Sequence, residues 1–121
     1  MTPREVFDKV KAHLLTQGGR ATRFGRCAYR GDNGTKCAVG CLIADEHYDR
    51  DTCEGAGSLH PNVQVALERS GIDLGLYLPN GYPLWNLLSA LQRVHDLQFP
   101  ECWPEALDAL EQKYFTPAGA S

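Results

Sequence analysis

The segment between Pro83 and Pro100 constrains the fold of this chain more than any other. Five apolar residues and a histidine recur three or four positions apart within it: Leu84, Leu87, Leu88, Leu91, Val94 and His95. This spacing places them on one face of an α-helix. Proline is tolerated where a helix begins, and the proline at position 100 stops it. The segment therefore predicts an amphipathic helix whose apolar face is covered by the rest of the chain.

Three more segments predict helices that supply this cover. The first begins after Thr2, which forms a Thr-x-x-Glu capping pattern with Glu5, and it ends at the glycines 18–19. Its predicted buried face consists of Val6, Phe7, Val10, Leu14 and Leu15. Residues 61–70 and the segment after Pro104 also begin with proline and carry apolar residues at helical spacing.

Residues 20–44 predict a different kind of structure. The polar stretch 20–26 predicts a loop, and the Asp-Asn-Gly sequence at 32–34 is typical of a tight turn. Residues 27–30 and 35–38 then form the two strands of a predicted hairpin around that turn. The run 38–44 favours a short buried helix, and the acidic segment 45–59 predicts an irregular loop.

The predicted fold class is mainly α with one small β-hairpin (α+β), a single compact domain of about four to five helices. We assign residues 1–115 to this domain and 116–121 to a flexible tail. A chain of 121 residues with 43% hydrophobic content is long and apolar enough for one core. No segment matches a membrane span or a secretory signal, so we expect a cytoplasmic protein with reduced thiols.

Four of the five cysteines lie within 27 residues, at Cys27, Cys37, Cys41 and Cys53. Three residues separate Cys37 from Cys41, a spacing found in zinc sites, and Cys53 or His47 would be the fourth ligand. The other spacings, nine and eleven residues, do not form a second ligand pair. The alternative, which the pattern favours, is that these cysteines are small core residues. No cofactor is expected in that case, and zinc is the cofactor otherwise.

A cysteine nucleophile with a histidine base is a second interpretation. Cys37 follows Lys36, which would stabilise a thiolate, and His95 would be the base. We expect that Asp96 cannot orient His95, because adjacent helical residues point about 100° apart. A core histidine bonded to a backbone carbonyl is favoured instead. The pattern therefore favours a non-enzymatic protein.

The charged residues form two blocks of opposite sign, although the whole chain carries a net charge of only -3. These blocks pair with each other or bind a partner, and the acidic one misses the calcium-loop pattern. The predicted partner-binding residues are Arg20, Arg23, Arg26, Arg30, Asp45, Glu46 and Asp49. The basic block also contains aromatic residues that would stack on bases, but no nucleic-acid-binding motif accompanies it, and the chain is acidic overall.

The sequence resembles a group of small proteins found in phages and bacterial genomes. The matching motifs are Cys-x-Tyr-Arg-Gly at 27–31, Gly-x-Lys-Cys-Ala-x-Gly-Cys-Leu-Ile at 34–43, Asp-Glu-x-Tyr-Asp at 45–49 and Leu-Gln-x-x-His-Asp at 91–96. Trp103 follows, and Ala44 stands where the group often has proline. The resemblance implies an accessory protein that works inside a bacterial cell and brings no catalytic residues or cofactor with it. We therefore expect a phage-type protein that binds a host or phage protein, for example by inhibiting a host defence or regulatory complex. A zinc- or thiol-dependent protein is the alternative.

Overall fold

The computed structural model describes residues 1–57 and 60–117. In this part of the chain the α-helices and strands are, in order, α1 (Pro3–Gln17), β1 (Thr22–Arg23), β2 (Arg26–Cys27), α2 (Arg50–Cys53), α3 (Pro61–Arg69), α4 (Leu84–Leu97) and α5 (Trp103–Phe115). Short 3₁₀ turns lie at Asp32–Gly34, Gly40–Leu42, Asp45–His47 and Pro100–Cys102. The two strands form one antiparallel pair. The predicted fold class, mainly helical with one small hairpin, is confirmed.

Helix α1 begins with the predicted capping box. The Thr2 hydroxyl accepts a hydrogen bond from the Glu5 N–H at 3.2 Å, and the Glu5 carboxylate accepts one from the Thr2 N–H at 3.0 Å. Gly18 ends the helix in the left-handed region with φ of 71°. The expected burial of Leu15 is wrong, because this side chain is 41% exposed. It points about 100° away from Leu14, which is fully buried against the core.

The core forms where α1, α4 and α5 pack against one another. All six residues predicted for the inner face of α4 are buried, as the spacing indicates. Trp103 at the start of α5 is fully buried and stacks on His95, with ring centres 5.7 Å apart. Each fully buried leucine of this core stabilises the fold by roughly 1.5–3 kcal/mol. Helix α4 is therefore the central element on which the remaining segments are arranged.

The hairpin is centred about eight residues earlier in the chain than predicted. Thr22 pairs with Cys27 and Arg23 with Arg26, so residues 24–25 form a two-residue turn inside the segment predicted to be a loop. Around the predicted turn at 32–34, only a single bridge joins Arg30 to Lys36. The chain leaves the extended conformation after Lys36 and turns into the core, which ends the pairing there.

Residues 38–44, predicted to be a short buried helix, form only one 3₁₀ turn, at Gly40–Leu42. At Gly40 a Cβ atom would lie 2.2 Å from the Tyr29 carbonyl oxygen, so the close approach of the two backbones requires glycine. The segment 45–59, predicted to be a loop, contains the short helix α2. Residues 118–121 of the expected tail lie outside the described residues.

Candidate functional site

The base of the hairpin is attached to the C-terminal end of α4. The Ala21 N–H donates a hydrogen bond to His95 Nε2 at 2.9 Å. Arg20 donates through Nε to the His95 carbonyl oxygen at 3.1 Å and through Nη2 to the Gln98 carbonyl oxygen at 2.6 Å. These carbonyls belong to the last turn and the end of the helix, where cations are favoured. The hairpin therefore has a fixed position relative to the core.

The hydrogen bond from Ala21 determines the tautomer of His95. A backbone N–H can only donate, so Nε2 carries the lone pair and Nδ1 carries the hydrogen. Nδ1 in turn contacts Asp96 Oδ1 at 2.7 Å and donates to it. The expectation that Asp96 cannot orient His95 is wrong, because the two side chains bend toward each other although their Cα–Cβ bonds diverge. The favoured partner, a backbone carbonyl, is replaced by a backbone N–H.

His95 and Asp96 lie next to Cys27, and one ligand atom from each of the three lies within 4.8 Å of the other two. No other set of three such ligands occurs within the described residues. Of the four cysteines considered as zinc ligands, only Cys27 belongs to this set. The Nε2 atom of His95 faces a donor, and its Nδ1 atom carries a hydrogen, so neither nitrogen offers a lone pair to a metal. Cys27 and Asp96 alone fall short of the four ligands that zinc takes. The geometry thus gives no support to a zinc centre here.

The same neighbours disfavour a reactive thiol. Partial burial raises the pKa of the Cys27 thiol above its ordinary value, and the nearby Asp96 carboxylate raises it further through its charge and a hydrogen bond. A catalytic cysteine requires the opposite shift, because the thiolate is the nucleophile. His95 cannot serve as its base, since Nε2 is already used by Ala21. The three residues therefore form a hydrogen-bonded anchor for the hairpin.

The cysteines 37, 41 and 53 belong to or pack against the core. The Cys37 sulfur accepts a hydrogen bond from the Gly40 N–H at 3.2 Å, and burial raises the pKa of its thiol. The Cys41 thiol donates to the Ala38 carbonyl oxygen at 3.1 Å, and burial raises its pKa to about 11. Cys53 is buried within α2. These environments stabilise neutral thiols, as expected for small core residues.

Some of the predicted partner-binding residues are used inside the protein. The Arg30 guanidinium contacts Asp45 at 2.6 Å and donates to the Ile43 carbonyl oxygen at 2.7 Å. Together with Lys36, at 3.7 Å, it lowers the pKa of Asp45, mainly through the Arg30 hydrogen bond. Asp49 caps α2 by accepting from the Asp51 N–H. The charged blocks thus pair in part with each other, which was one of the two interpretations.

Arg23 and Arg26 have no such internal role. Their backbones pair across the hairpin, but neither guanidinium forms an ion pair or hydrogen bond with any residue in the ranges 1–57 and 60–117. The turn between them consists of Phe24, with φ of 54°, and Gly25, with φ of 75°. Two successive positive φ values are typical of a type I′ turn, which normally contains Asn-Gly or Asp-Gly. The Phe24 side chain is 87% exposed, and the Arg23 guanidinium lies 4.9 Å from its ring centre.

The sequence placed Phe24 in a loop, among the aromatic residues that would stack on bases, because phenylalanine does not belong to the residue types that form such turns. The distinguishing signal was the alternation of arginines around Phe-Gly at 23–26, which fits a hairpin with basic strands. A cavity of about 360 Å³ beside this turn is lined by the two hairpin arginines and by Phe24, Cys27, Ala28, Arg50, Glu54 and Gly55. The exposed tip, its cations and this adjoining cavity form the candidate binding surface.

No model of a known protein family matches the chain, and no curated protein or solved structure shows significant similarity to it. None of the helices in the described ranges is both long enough and apolar enough to span a lipid bilayer.

Proposed function

We propose that this protein binds an acidic surface of a partner protein through its arginine hairpin, residues 20–27. The proposal rests on two properties of Phe24: its backbone φ is 54°, in the left-handed region, and its side chain is 87% exposed. A bulky side chain in the left-handed region costs about 1–2 kcal/mol, and exposure to water recovers little of that cost. Aromatic residues on an exposed tip are typical anchors of protein interfaces, where they fill a pocket on the partner. Strain of this kind concentrates at functional positions.

The charges around the tip indicate the chemistry of the partner. Arg23, Arg26 and Arg50 surround the cavity of about 360 Å³, and none of them forms an ion pair with a described residue. Four other cations, Arg4, Lys11, Arg30 and Lys36, are paired with acids. The apolar residues Phe24 and Ala28 lie between the unpaired arginines. An acidic protein surface with an apolar pocket complements this arrangement better than a phosphate backbone does.

The attachment of the hairpin to α4 supports the same function. Because Ala21, Arg20 and Cys27 are held by the end of α4, the tip is presented in one orientation before binding. A preorganised loop loses less conformational entropy when it binds, and this raises affinity. The resemblance to phage and bacterial proteins supports a host or phage protein as the partner, in the bacterial cytoplasm. Inhibition of a host defence or regulatory complex is one form that such binding takes.

Affinity capture with matched variants tests the proposal. Tagged protein is mixed with a nuclease-treated bacterial extract, and any captured protein is purified and titrated against the wild type at low and high salt. The double variant Arg23→Glu/Arg26→Glu reverses the tip charge. The control Arg69→Glu reverses an exposed charge at the end of α3. Circular dichroism verifies that each variant is folded.

We expect one acidic protein to bind wild type and Arg69→Glu directly, more weakly at high salt, and to be lost with the double variant. Phe24→Asn should weaken binding at least tenfold without unfolding the protein. A partner that binds the double variant as tightly as the wild type overturns the proposal. Material that is captured from an untreated extract but not from the nuclease-treated one does so as well, and assigns the hairpin to nucleic acid.

A further inference from the structure

A second cavity of about 460 Å³ lies beside α4, on the other side of Cys27 from the hairpin tip. Four residues of α4 line it and form two pairs spaced by one helical turn: Ser89 with Arg93, and Gln92 with Asp96. Residues four apart share a face of a helix, so each pair forms a short stripe in the cavity wall. One stripe presents a cation and a hydroxyl, and the other presents an amide and a carboxylate.

The two opposite charges in this wall are close but do not pair. Arg93 precedes Asp96 by three residues, a spacing at which a cation and a carboxylate are neighbours on a helix. No ion pair joins them, and the Arg93 guanidinium forms no hydrogen bond with any described residue. Both charges therefore face the cavity without cancelling each other.

The Asp96 carboxylate is held in place by its surroundings. Its Oδ1 atom accepts from His95 Nδ1 at 2.7 Å and from Gln92 Nε2 at 2.9 Å. Gln92 is itself fixed, because its Oε1 accepts from the Val39 N–H at 3.0 Å. The Cys27 thiol also forms a hydrogen bond with this carboxylate. A carboxylate fixed by these donors is preorganised to bind a cationic group.

Two other polar side chains line the cavity, those of Ser89 and Glu54, and they differ in whether they already have hydrogen-bond partners. The Ser89 hydroxyl is buried and has no partner in the described part of the chain, so rotating it toward the cavity breaks no hydrogen bond. The carboxylate of Glu54, which also lines the cavity, is already occupied. It accepts from the N–H groups of Tyr29 and Arg30 and from the Tyr48 hydroxyl. The Asp96 carboxylate also has hydrogen-bond donors, including the Cys27 thiol, but its side chain is 35% exposed, so the ammonium group of a ligand can reach it.

We propose that this cavity binds a free α-amino acid with a large apolar side chain. The ammonium group contacts Asp96, and the α-carboxylate contacts Arg93 and the hydroxyl of Ser89. A small zwitterion satisfies both charges at once, whereas a simple cation or anion leaves one of them without a partner. Ala28, Cys37 and Ala56 line the remaining wall and leave room for a bulky apolar side chain. The volume is ample for such a ligand, since small-molecule sites span about 300–1,000 Å³.

Three related probes test the assignment of each charge. Phenylalanine carries both groups, 2-phenylethylamine lacks the carboxylate, and 3-phenylpropionate lacks the ammonium. Binding to the full chain is measured by calorimetry and by saturation-transfer NMR at up to about 10 mM ligand, which detects millimolar affinity. Arg93→Gln is the test variant because the side chain is exposed and makes no internal contact. Arg69→Gln is the matched control, and Asp96→Asn is a second variant with its fold verified by circular dichroism.

We expect saturable binding of phenylalanine by wild type and Arg69→Gln, and at least tenfold weaker binding of both truncated probes. Arg93→Gln should lose selectivity for phenylalanine over 2-phenylethylamine. Absence of phenylalanine and leucine binding to wild type overturns the proposal, as does unchanged affinity in Arg93→Gln. The double variant Arg23→Glu/Arg26→Glu should retain amino-acid binding, so the outcome is independent of the partner-binding hypothesis.

Discussion

Phe24→Asn should stabilise the protein while it removes an aromatic side chain. Asparagine adopts positive φ readily, and Asn-Gly is the preferred pair in a type I′ turn, so the substitution relieves about 1–2 kcal/mol of strain. Two contributions are lost in return. The exposed contact between Arg23 and the Phe24 ring contributes about 0.5–1 kcal/mol, and the small buried part of the ring contributes about 0.3 kcal/mol. The net gain in the free energy of unfolding is about 0.5 kcal/mol, which corresponds to an increase in Tm of about 2 °C.

Phe24→Ala separates the strain from the loss of the ring. Alanine retains the strained backbone and loses the ring, so this variant should be less stable than the wild type by about 0.8–1.3 kcal/mol. The two variants then differ by the relieved strain, about 1–2 kcal/mol, which urea denaturation resolves when it is followed by tryptophan fluorescence. Equal stability of the two variants, or a less stable Phe24→Asn, would refute the claim that position 24 is strained. It would also remove the main support for a binding role of the tip.

Three further predictions concern the residues around the hairpin and the charged blocks. His95→Leu leaves the Ala21 N–H without an acceptor and removes one donor from the Asp96 carboxylate, so it should lower the free energy of unfolding by about 2–4 kcal/mol in urea denaturation, with faster hydrogen exchange at Ala21. Asp96→Asn should make Cys27 react roughly three- to tenfold faster with a neutral alkylating reagent, measured by peptide mass spectrometry, because the carboxylate no longer raises the pKa of the thiol. An unchanged rate would contradict the proposed contact. Asp45 has a lowered pKa, so its contribution to stability is present above its unfolded-state pKa and disappears as the pH falls through the folded-state value. The stability difference between wild type and Asp45→Asn in urea should therefore be largest near pH 7 and vanish in acid, and a difference that is independent of pH would argue against the ion pair with Arg30.

The helices were predictable because their causes are local. The capping box at Thr2, the glycine at 18 and the prolines that bound α4 act within a few residues of where they stand in the sequence. The inner face of α4 followed from spacing alone. The exposure of Leu15 was not predictable, because the width of the buried stripe on α1 depends on how far the neighbouring helices reach around it.

The hairpin and the site could not be located in the same way. Asp-Asn-Gly at 32–34 is the stronger turn sequence, yet the strands pair around Phe24-Gly25, because the tertiary contacts of Ala21 and Cys27 with α4 hold that segment extended. The local preference of residue 24 opposes its observed conformation. Such conflicts between local preference and tertiary structure are expected at functional positions.

The sequence by itself determined the positions of the four long helices, most of the faces that they bury, and the burial of Cys37 in the core. These features depend on side-chain size, polarity and spacing over one or two turns. Only the tertiary structure decided which nitrogen of His95 carries the hydrogen and that Asp96 lies beside Cys27, 69 positions away. It likewise decided which arginines remain unpaired. Those properties depend on contacts between residues far apart in the chain. A single hydrogen-bond donor, or a small change in the distance between two side chains, determines which atom carries a hydrogen and which charge has a partner.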